Sequence, residues 1–418
     1  MTMSDTTPKN DTDGVTMSPV PLPAPQRMAS IDAYRGFVML LMMAEILHFR
    51  HIGNTMTNDE TFWGAFWRFL TFHQTHVPWT GCSLHDMIQP SFSFIVGVAL
   101  PFSIASRLAR GQSKTWLTLH AFWRAAMLVF LGVFLRSIGA EQTNWTFLDT
   151  LAQIGLGYGF LYILGLCSFR AQLGALVLIL VGYWAAFACY PLPNETFDWA
   201  KAGVTADWEH NAVGFAAHWN KNTNPAAAFD VWFLNLLPQK TPFLNTGGGY
   251  ATLSFIPTLG TMILGLFAGT ILRSERKSLA KIGIFILIGV VCLAVSFLLD
   301  ATGICPIVKR IWTPAWVLFS GGCAYLFLAA FFLFLDVLKI RTPFFPLMVV
   351  GANSIVAYCI ASTPLNPFIK SNLITHFGTA PFACFGELYV LLVFGIILLT
   401  IDWLILYWMY RNKIFIRI

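Results

Sequence analysis

Residues 282–299 read IGIFILIGVVCLAVSFLL, with no charged side chain anywhere in the run. An apolar stretch of that length crosses about 30 Å of hydrocarbon as an α-helix, and only helices or closed barrels satisfy their backbone groups there. Comparable stretches recur at 31–48, 87–106, 117–137, 146–167, 171–190, 251–272, 313–336, 343–361 and 385–410, most of them bounded by polar or Pro/Gly-rich breaks. Composition agrees, with 56% hydrophobic and 11% charged residues, where a soluble domain carries about 25% charge. The expected fold class is an all-α integral membrane protein, a polytopic bundle of about ten transmembrane helices filling residues 30–418, with no soluble domain evident.

Basic residues in short connections mark the cytoplasmic side. One alternate set of connections holds Arg107, Arg110 and Lys114, then Arg170, then Arg273, Arg276, Lys277 and Lys281, then Lys339 and Arg341, and finally Arg411, Lys413 and Arg417. The opposite set is longer and, for its length, poorer in charge, apart from the adjacent Lys309 and Arg310. Both termini are therefore expected in the cytoplasm and His76 outside, with the bacterial inner membrane as the expected location. Residues 1–29, rich in Ser, Thr, Asp and Pro, lack the apolar core of a cleavable signal and read as a disordered cytoplasmic tail ahead of an uncleaved anchor helix. The net charge of +6 suits a positive-inside membrane protein and gives no reason to expect nucleic acid as a partner. The eight cysteines are scattered, without a C-x-x-C pair, so zinc-thiolate and redox readings are weak.

Two outer-face loops, 49–85 and 191–250, exceed what a turn needs. The first holds His51, His73, His76 and His85; the second contains AHWNKNTNPAAAFDVWFLNLLP and NTGGGY, whose Trp, Asn and Gly suit either a sugar-stacking surface or a cap over the helices. Ionisable residues within or at the edges of apolar helices are functional candidates. Glu45 and His48, three apart, are expected to share a helix face near the outer side, where His85 and Asp86 open the second helix, Asp149 and Gln153 lie in the fourth, and Asp300 ends the seventh. At the inner mouth Asp32 and Arg35 are three apart, and His120 and Arg124 four apart. Arginine forks bind phosphate, so these cations are candidates for holding a nucleotide carrier, against a plain Asp–Arg pair and a snorkelling Arg. Asp402 has no evident partner in the sequence.

Five segments in order, SIDAYRGFVMLLM (30–42), HVPWTGCSLHDMIQPSFSFIVGVALPFSIASR (76–107), LSFIPTLGTMILGLFAG (253–269), KRIWTPAWVLFSGG (309–322) and PLMVVGANSIVAY (346–358), resemble the catalytic membrane domain of the heparan-alpha-glucosaminide N-acetyltransferase family and its bacterial relatives. The resemblance covers nearly all of the chain after residue 30. It implies a bundle of ten or eleven helices, acetyl-CoA entering from the cytosol, and an amino sugar or glycan acceptor on the opposite face. The family's active-site histidine lies in an H-x-x-W-x-G segment followed by an aspartate, which maps it onto His76, with Trp79, Gly81 and Asp86. His76 would be a general base or a covalent acyl relay, two routes that the sequence leaves open. Asp86 would orient the imidazole or hold the helix, and Trp79 would stack on the sugar or anchor the loop. Glu45, His48, Asp149 and Asn353 are further acceptor-side candidates; Arg35, His120 and Arg124 are donor-side candidates; no metal is expected.

The chain departs from the family at two places. Ile46 stands where relatives carry an asparagine, and Leu151-Ala152-Gln153-Ile154-Gly155 lacks their arginine. These departures point away from heparan and towards another periplasmic sugar. A transporter or flippase is the runner-up, though no convincing inverted repeat is visible. A zinc hydrolase built from His48, His51, His73, His76, His85 and Asp86 ranks last, because no tight ligand spacing is present. A homodimer is compatible with all three readings.

Overall fold

The protein is described by a computed structural model over residues 28–416. Most of the expected tail, residues 1–27, lies outside the described residues. Among those described there is no β-strand, and one isolated antiparallel bridge pairs Thr80 with Val308. The expected all-helical membrane class therefore holds.

Among the described residues, seven helical segments are long and apolar enough to cross a membrane: His85–Ala109, Lys114–Ser137, Phe169–Ala188, Thr252–Arg273, Ser278–Ala301, Pro314–Val337 and Glu387–Arg411. The pair Thr342–Ala352 and Ser354–Ser362 makes an eighth if taken as one span, bent by 72°. This is a multi-pass membrane protein. The count falls short of ten for two local reasons. The first helix, α1 (Ala29–Met43), gives way to a 3-10 turn at Ala44–Leu47, and His48 then adopts a left-handed backbone with φ 51°. The fourth expected span holds only the 16 residues of Thr150–Gly165, about 24 Å of helix.

Two short helices follow α1, namely α2 (Phe49–Thr55) and α3 (Phe62–His73). The spans α4 (Ile88–Ala109), α5 (Lys114–Ser137), α6 (Thr150–Gly165) and α7 (Phe169–Ala188) come next. A cap with two short helices, α8 (Trp199–Ala202) and α9 (Pro225–Leu234), precedes α10 (Phe255–Arg273), α11 (Ser278–Ala301) and α12 (Pro314–Phe332). The chain ends with the broken pair α13 (Phe345–Ala352) and α14 (Ser354–Ser362), then α15 (Leu365–Phe377) and α16 (Val390–Arg411).

Helix α10 is the most enclosed of the seven spans, and α4 packs along it. Small residues make that approach possible: a Cβ on Gly97 would fall 1.9 Å from the Met262 carbonyl oxygen, and one on Gly265 would fall 1.9 Å from that of Phe94. Close backbone contact of this kind replaces the hydrophobic drive that lipid cannot supply. The packed α4 carries Asp86 at its entrance, so its rigidity fixes the position of the site.

Candidate active site

The loop ahead of α4 is shaped by its own motif. Gly81 has φ 101°, a conformation that side chains with a Cβ rarely adopt, and its N–H donates to the Ile307 carbonyl at 3.1 Å. With the Thr80–Val308 bridge, this zips the loop onto the segment joining α11 to α12. That second segment is held in turn by Asp300, whose Oδ1 accepts the Ile307 N–H at 2.9 Å.

The zipped segments bring three ionisable side chains together. His76 Nδ1 lies 2.8 Å from Asp86 Oδ1, and Lys309 Nζ lies 3.1 Å from the same oxygen and 3.2 Å from His76 Nδ1. Asp86 Oδ2 accepts the backbone N–H groups of Val77 (3.2 Å) and Ser83 (3.1 Å), with the Ser83 hydroxyl at 3.0 Å. Apart from the Ser83 hydroxyl, whose one proton is shared with the Thr75 carbonyl at 2.6 Å, the neighbours of the carboxylate are donors, which suits a group that only accepts. The side chains of Lys309 and Asp86 are 5% and 1% exposed, whereas that of His76 is 38% exposed. A neutral ring donating from Nδ1 to Asp86 keeps its lone pair on Nε2. That arrangement can take a proton from an incoming group. The His85 ring lies 4.6 Å from that of His76, tilted by 53°. His73 Nδ1 accepts the Leu84 N–H at 3.2 Å.

Lys309 was visible in the sequence only as half of an adjacent basic pair, Lys309-Arg310, in a short connection on the less basic side. The pair has a physical reason, because both of its members are committed to the site. Lys309 faces Asp86, while Arg310 donates to the carbonyls of Val77 (3.1 Å) and Gly248 (2.7 Å) and lies over the Tyr250 ring.

Trp79 is buried, with Nε1 donating to the Trp219 carbonyl at 3.1 Å and its ring edge-on to Trp208. It anchors the loop to the cap and offers no open face for a sugar. Glu45 and His48 are exposed, on a 3-10 turn with a left-handed end at His48 where a continuous α-helix was expected. Gln74 ties their segment to the His76 loop, since its side chain meets the Ala44 carbonyl and the Phe49 N–H. Asp149 caps α6 by accepting the Ala152 N–H at 2.9 Å, packed where Gly132 of α5 leaves room. Gln153 donates to the Phe147 and Thr252 carbonyls.

Asn353 sits at the α13–α14 break, donating to the Ile414 carbonyl (2.9 Å) and accepting the Ile416 N–H (3.1 Å). Its partners follow the C-terminal end of α16, whose other end meets α3 through the Trp63–Tyr389 contact. Asn353 is therefore at the opposite end of that span from the His76 loop. Asp402 finds a partner in Asn366 of α15, whose Nδ2 donates at 3.0 Å.

Of the expected donor-side residues, His120 and Arg124 line one small cleft together with Arg107, Tyr158 and Tyr162. Arg124 Nη1 donates to the Tyr158 hydroxyl at 3.1 Å, while Arg124 Nε and the Tyr162 hydroxyl are buried without a hydrogen-bond partner. Two cations and two orphaned polar atoms thus meet in one cleft, whose free volume is about 20 Å³. Arg35 is elsewhere on α1, 3.8 Å from Asp32. A larger cleft of about 530 Å³ lies in the cap, lined in part by Tyr190, Phe197, Lys201 and Asn222, and contains none of the expected site residues. Among the described residues, no three of His, Cys, Asp and Glu are grouped as metal ligands.

Fold and site together define a polytopic helical membrane protein with a carboxylate–histidine pair, backed by a buried lysine, at one end of its most enclosed helices. No family model matches the chain. It is a distant homologue of heparan-alpha-glucosaminide N-acetyltransferase: it is 24% identical to that protein of Homo sapiens over 376 residues, 80% of this chain and 52% of the relative. It is 23% identical to that of Mus musculus over 372 residues, 79% of this chain and 53% of the relative. The chain spans about half the length of the curated relatives it matches.

Proposed function

We propose that this protein is a membrane acyltransferase that moves an acetyl or other acyl group from cytosolic acyl-CoA to an amine or hydroxyl of a sugar on the other face of the membrane. The observation that carries this reading is the 2.8 Å contact between His76 Nδ1 and Asp86 Oδ1, which turns the free Nε2 of a partly exposed ring into a proton acceptor. The distant homology supports the same class of chemistry.

His76 is the general base. Its Nε2 takes the proton shed by the acceptor as the acceptor's nitrogen or oxygen bonds the acyl carbon, and returns it to the departing thiolate as the C–S bond breaks. Asp86 fixes the tautomer and balances the transient imidazolium. Lys309 and the loop N–H groups hold Asp86 in place. Arg107, His120 and Arg124 would bind the donor's phosphates, and the donor supplies the activated acyl carbon. Asp86 and Arg107 are 21 residues apart across one helical segment, about 32 Å, so an elongated donor must bridge the two ends of α4. Both termini lie in the cytoplasm, in a bacterial inner membrane, and His76 faces outward.

The test is incubation of the purified protein with labelled acetyl-CoA and a panel of glucosamine-type acceptors. Labelled acceptor, absent with His76→Ala, is the expected result. Acceptor movement across vesicles without acetylation would make the protein a transporter instead. A single cysteine at position 77 should react with thiol reagents from outside the cell, and reaction only from the cytoplasm would overturn the orientation.

A further inference from the structure

Helix α3 has a face that nothing among the described residues covers. Phe62, Trp63, Phe66, Phe69 and Phe72 are between 37% and 84% exposed. At about 100° per residue these five side chains and Leu70 sweep roughly half of the helix circumference. The opposite side is packed: Gly64 and Trp67 are buried, Trp67 lies edge-on to Phe49, and the Thr71 hydroxyl donates to the Phe49 carbonyl. Arg68, at the border, is folded away from the aromatic face onto the carbonyls of Met56 and Asp59. Water is a poor neighbour for five adjoining aromatic rings.

The position of α3 says what covers it. Trp63 Nε1 donates to the Tyr389 hydroxyl at 3.4 Å, and the Trp67 and Tyr389 rings are 6.0 Å apart. Tyr389 belongs to the first turn of the membrane span Glu387–Arg411, so α3 lies level with the end of a span, where Trp and Tyr mark the boundary between lipid and water. Its 12 residues make about 18 Å of helix, too short to cross. A short helix with one aromatic face at that depth lies in the plane of the interface.

Helix α3 also runs directly into the candidate site. His73, its last residue, packs against Phe69 and Phe72 and accepts the Leu84 N–H, and the part-exposed His76 follows three positions later. We propose that α3 is an in-plane helix in the leaflet on the His76 side, and that the acceptor of the transfer proposed above is a sugar carried by a lipid of that leaflet, presented to His76 at headgroup depth. This rests on the acyltransferase reading and specifies its substrate class. A lipid-borne sugar is confined to the layer into which the site opens, so its effective concentration at His76 exceeds that of a free sugar at the same bulk amount.

The test uses the full chain in lipid nanodiscs, labelled acetyl-CoA, and two acceptors with one head: glucosamine linked to a long alkyl chain that inserts in the bilayer, and methyl glucosaminide. At equal bulk concentration the inserted acceptor should be acetylated at least about tenfold faster. Phe62→Ser/Phe66→Ser should remove most of that advantage while methyl glucosaminide turnover stays within about twofold. Equal rates in the unaltered protein, or an advantage that survives in the double variant, overturns the proposal. Acetylation of neither acceptor defeats the transferase reading and this one with it. Independently of activity, lipids brominated near the headgroup should quench Trp63 fluorescence, read as the difference between the unaltered protein and Trp63→Phe. An unquenched difference removes α3 from the membrane and overturns the proposal outright.

Discussion

Lys309 Nζ lies 3.1 Å from Asp86 Oδ1, across 223 residues of sequence, with both side chains buried. A buried pair of this kind contributes little over an apolar pair of the same shape, yet is costly to break on one side, because the partner keeps an uncompensated charge. Lys309→Met should therefore destabilise the protein by about 3 kcal/mol and lower acyl transfer. Adding Asp86→Asn should recover much of the stability and none of the activity. Thermal unfolding and initial rates of the two single variants and the double variant check this; additive stability losses would mean that the two groups are not coupled.

His76→Ala should abolish transfer while donor binding and the folded bundle persist, since the ring is partly exposed and its main partner, Asp86, keeps its other donors. His76→Asn should fail nearly as completely, because an amide cannot take a proton at neutral pH. His73→Ala loses one hydrogen bond to the loop and should be milder, within about tenfold. His85→Ala should also be milder than His76→Ala. Rates and CoA binding measured on all four variants decide the matter. Near-normal transfer by His76→Ala would remove the candidate site.

Arg124→Ala should weaken CoA binding by at least about tenfold, as expected for the loss of a charge-assisted hydrogen bond of roughly 1.5–3 kcal/mol. Tyr158→Phe, which removes only the hydroxyl that Arg124 meets, should change it less. Unaltered CoA affinity in Arg124→Ala would reduce this arginine to a snorkelling side chain tied to Tyr158.

Asp230, buried in the cap, accepts the Thr252 N–H with both carboxylate oxygens, yet burial outweighs these bonds and pushes its pKa up to about 6 from 3.8. A raised folded-state value means that the protonated form is the favoured one. The stabilisation is complete below pH 3.8 and lost as pH rises through about 6, a change of about 3 kcal/mol for the cap. Asp230→Asn keeps an acceptor for Thr252 without the charge and should flatten that dependence. Unfolding temperatures of the two proteins at pH 4 and pH 8 should diverge at pH 8, and equal profiles would refute the assignment.

The sequence alone told the solvent of this protein and, through a family resemblance, pointed to its candidate base. Runs such as 282–299 can only be buried in lipid or protein, and His76-x-x-Trp79-x-Gly81 carries its own geometry in the positive φ of Gly81. These are local properties, and local patterns survive translation into structure. The tertiary fold decided what rests on neighbours remote in sequence. Lys309 reaches Asp86 only because the Gly81–Ile307 bond and the Thr80–Val308 bridge join two segments whose spacing no periodicity encodes. Trp79 is an anchor because the cap supplies the Trp219 carbonyl. Asn353 became a clasp for the C-terminal residues because the span breaks beside it. Periodicity foresaw a helix through Glu45 and His48, but the 3-10 turn at Ala44–Leu47 ended it, held by the Gln74 side chain from the next loop. A helix's apolar run is written in its own residues, whereas the point at which it stops and the charge it meets depend on which other segment arrives there first.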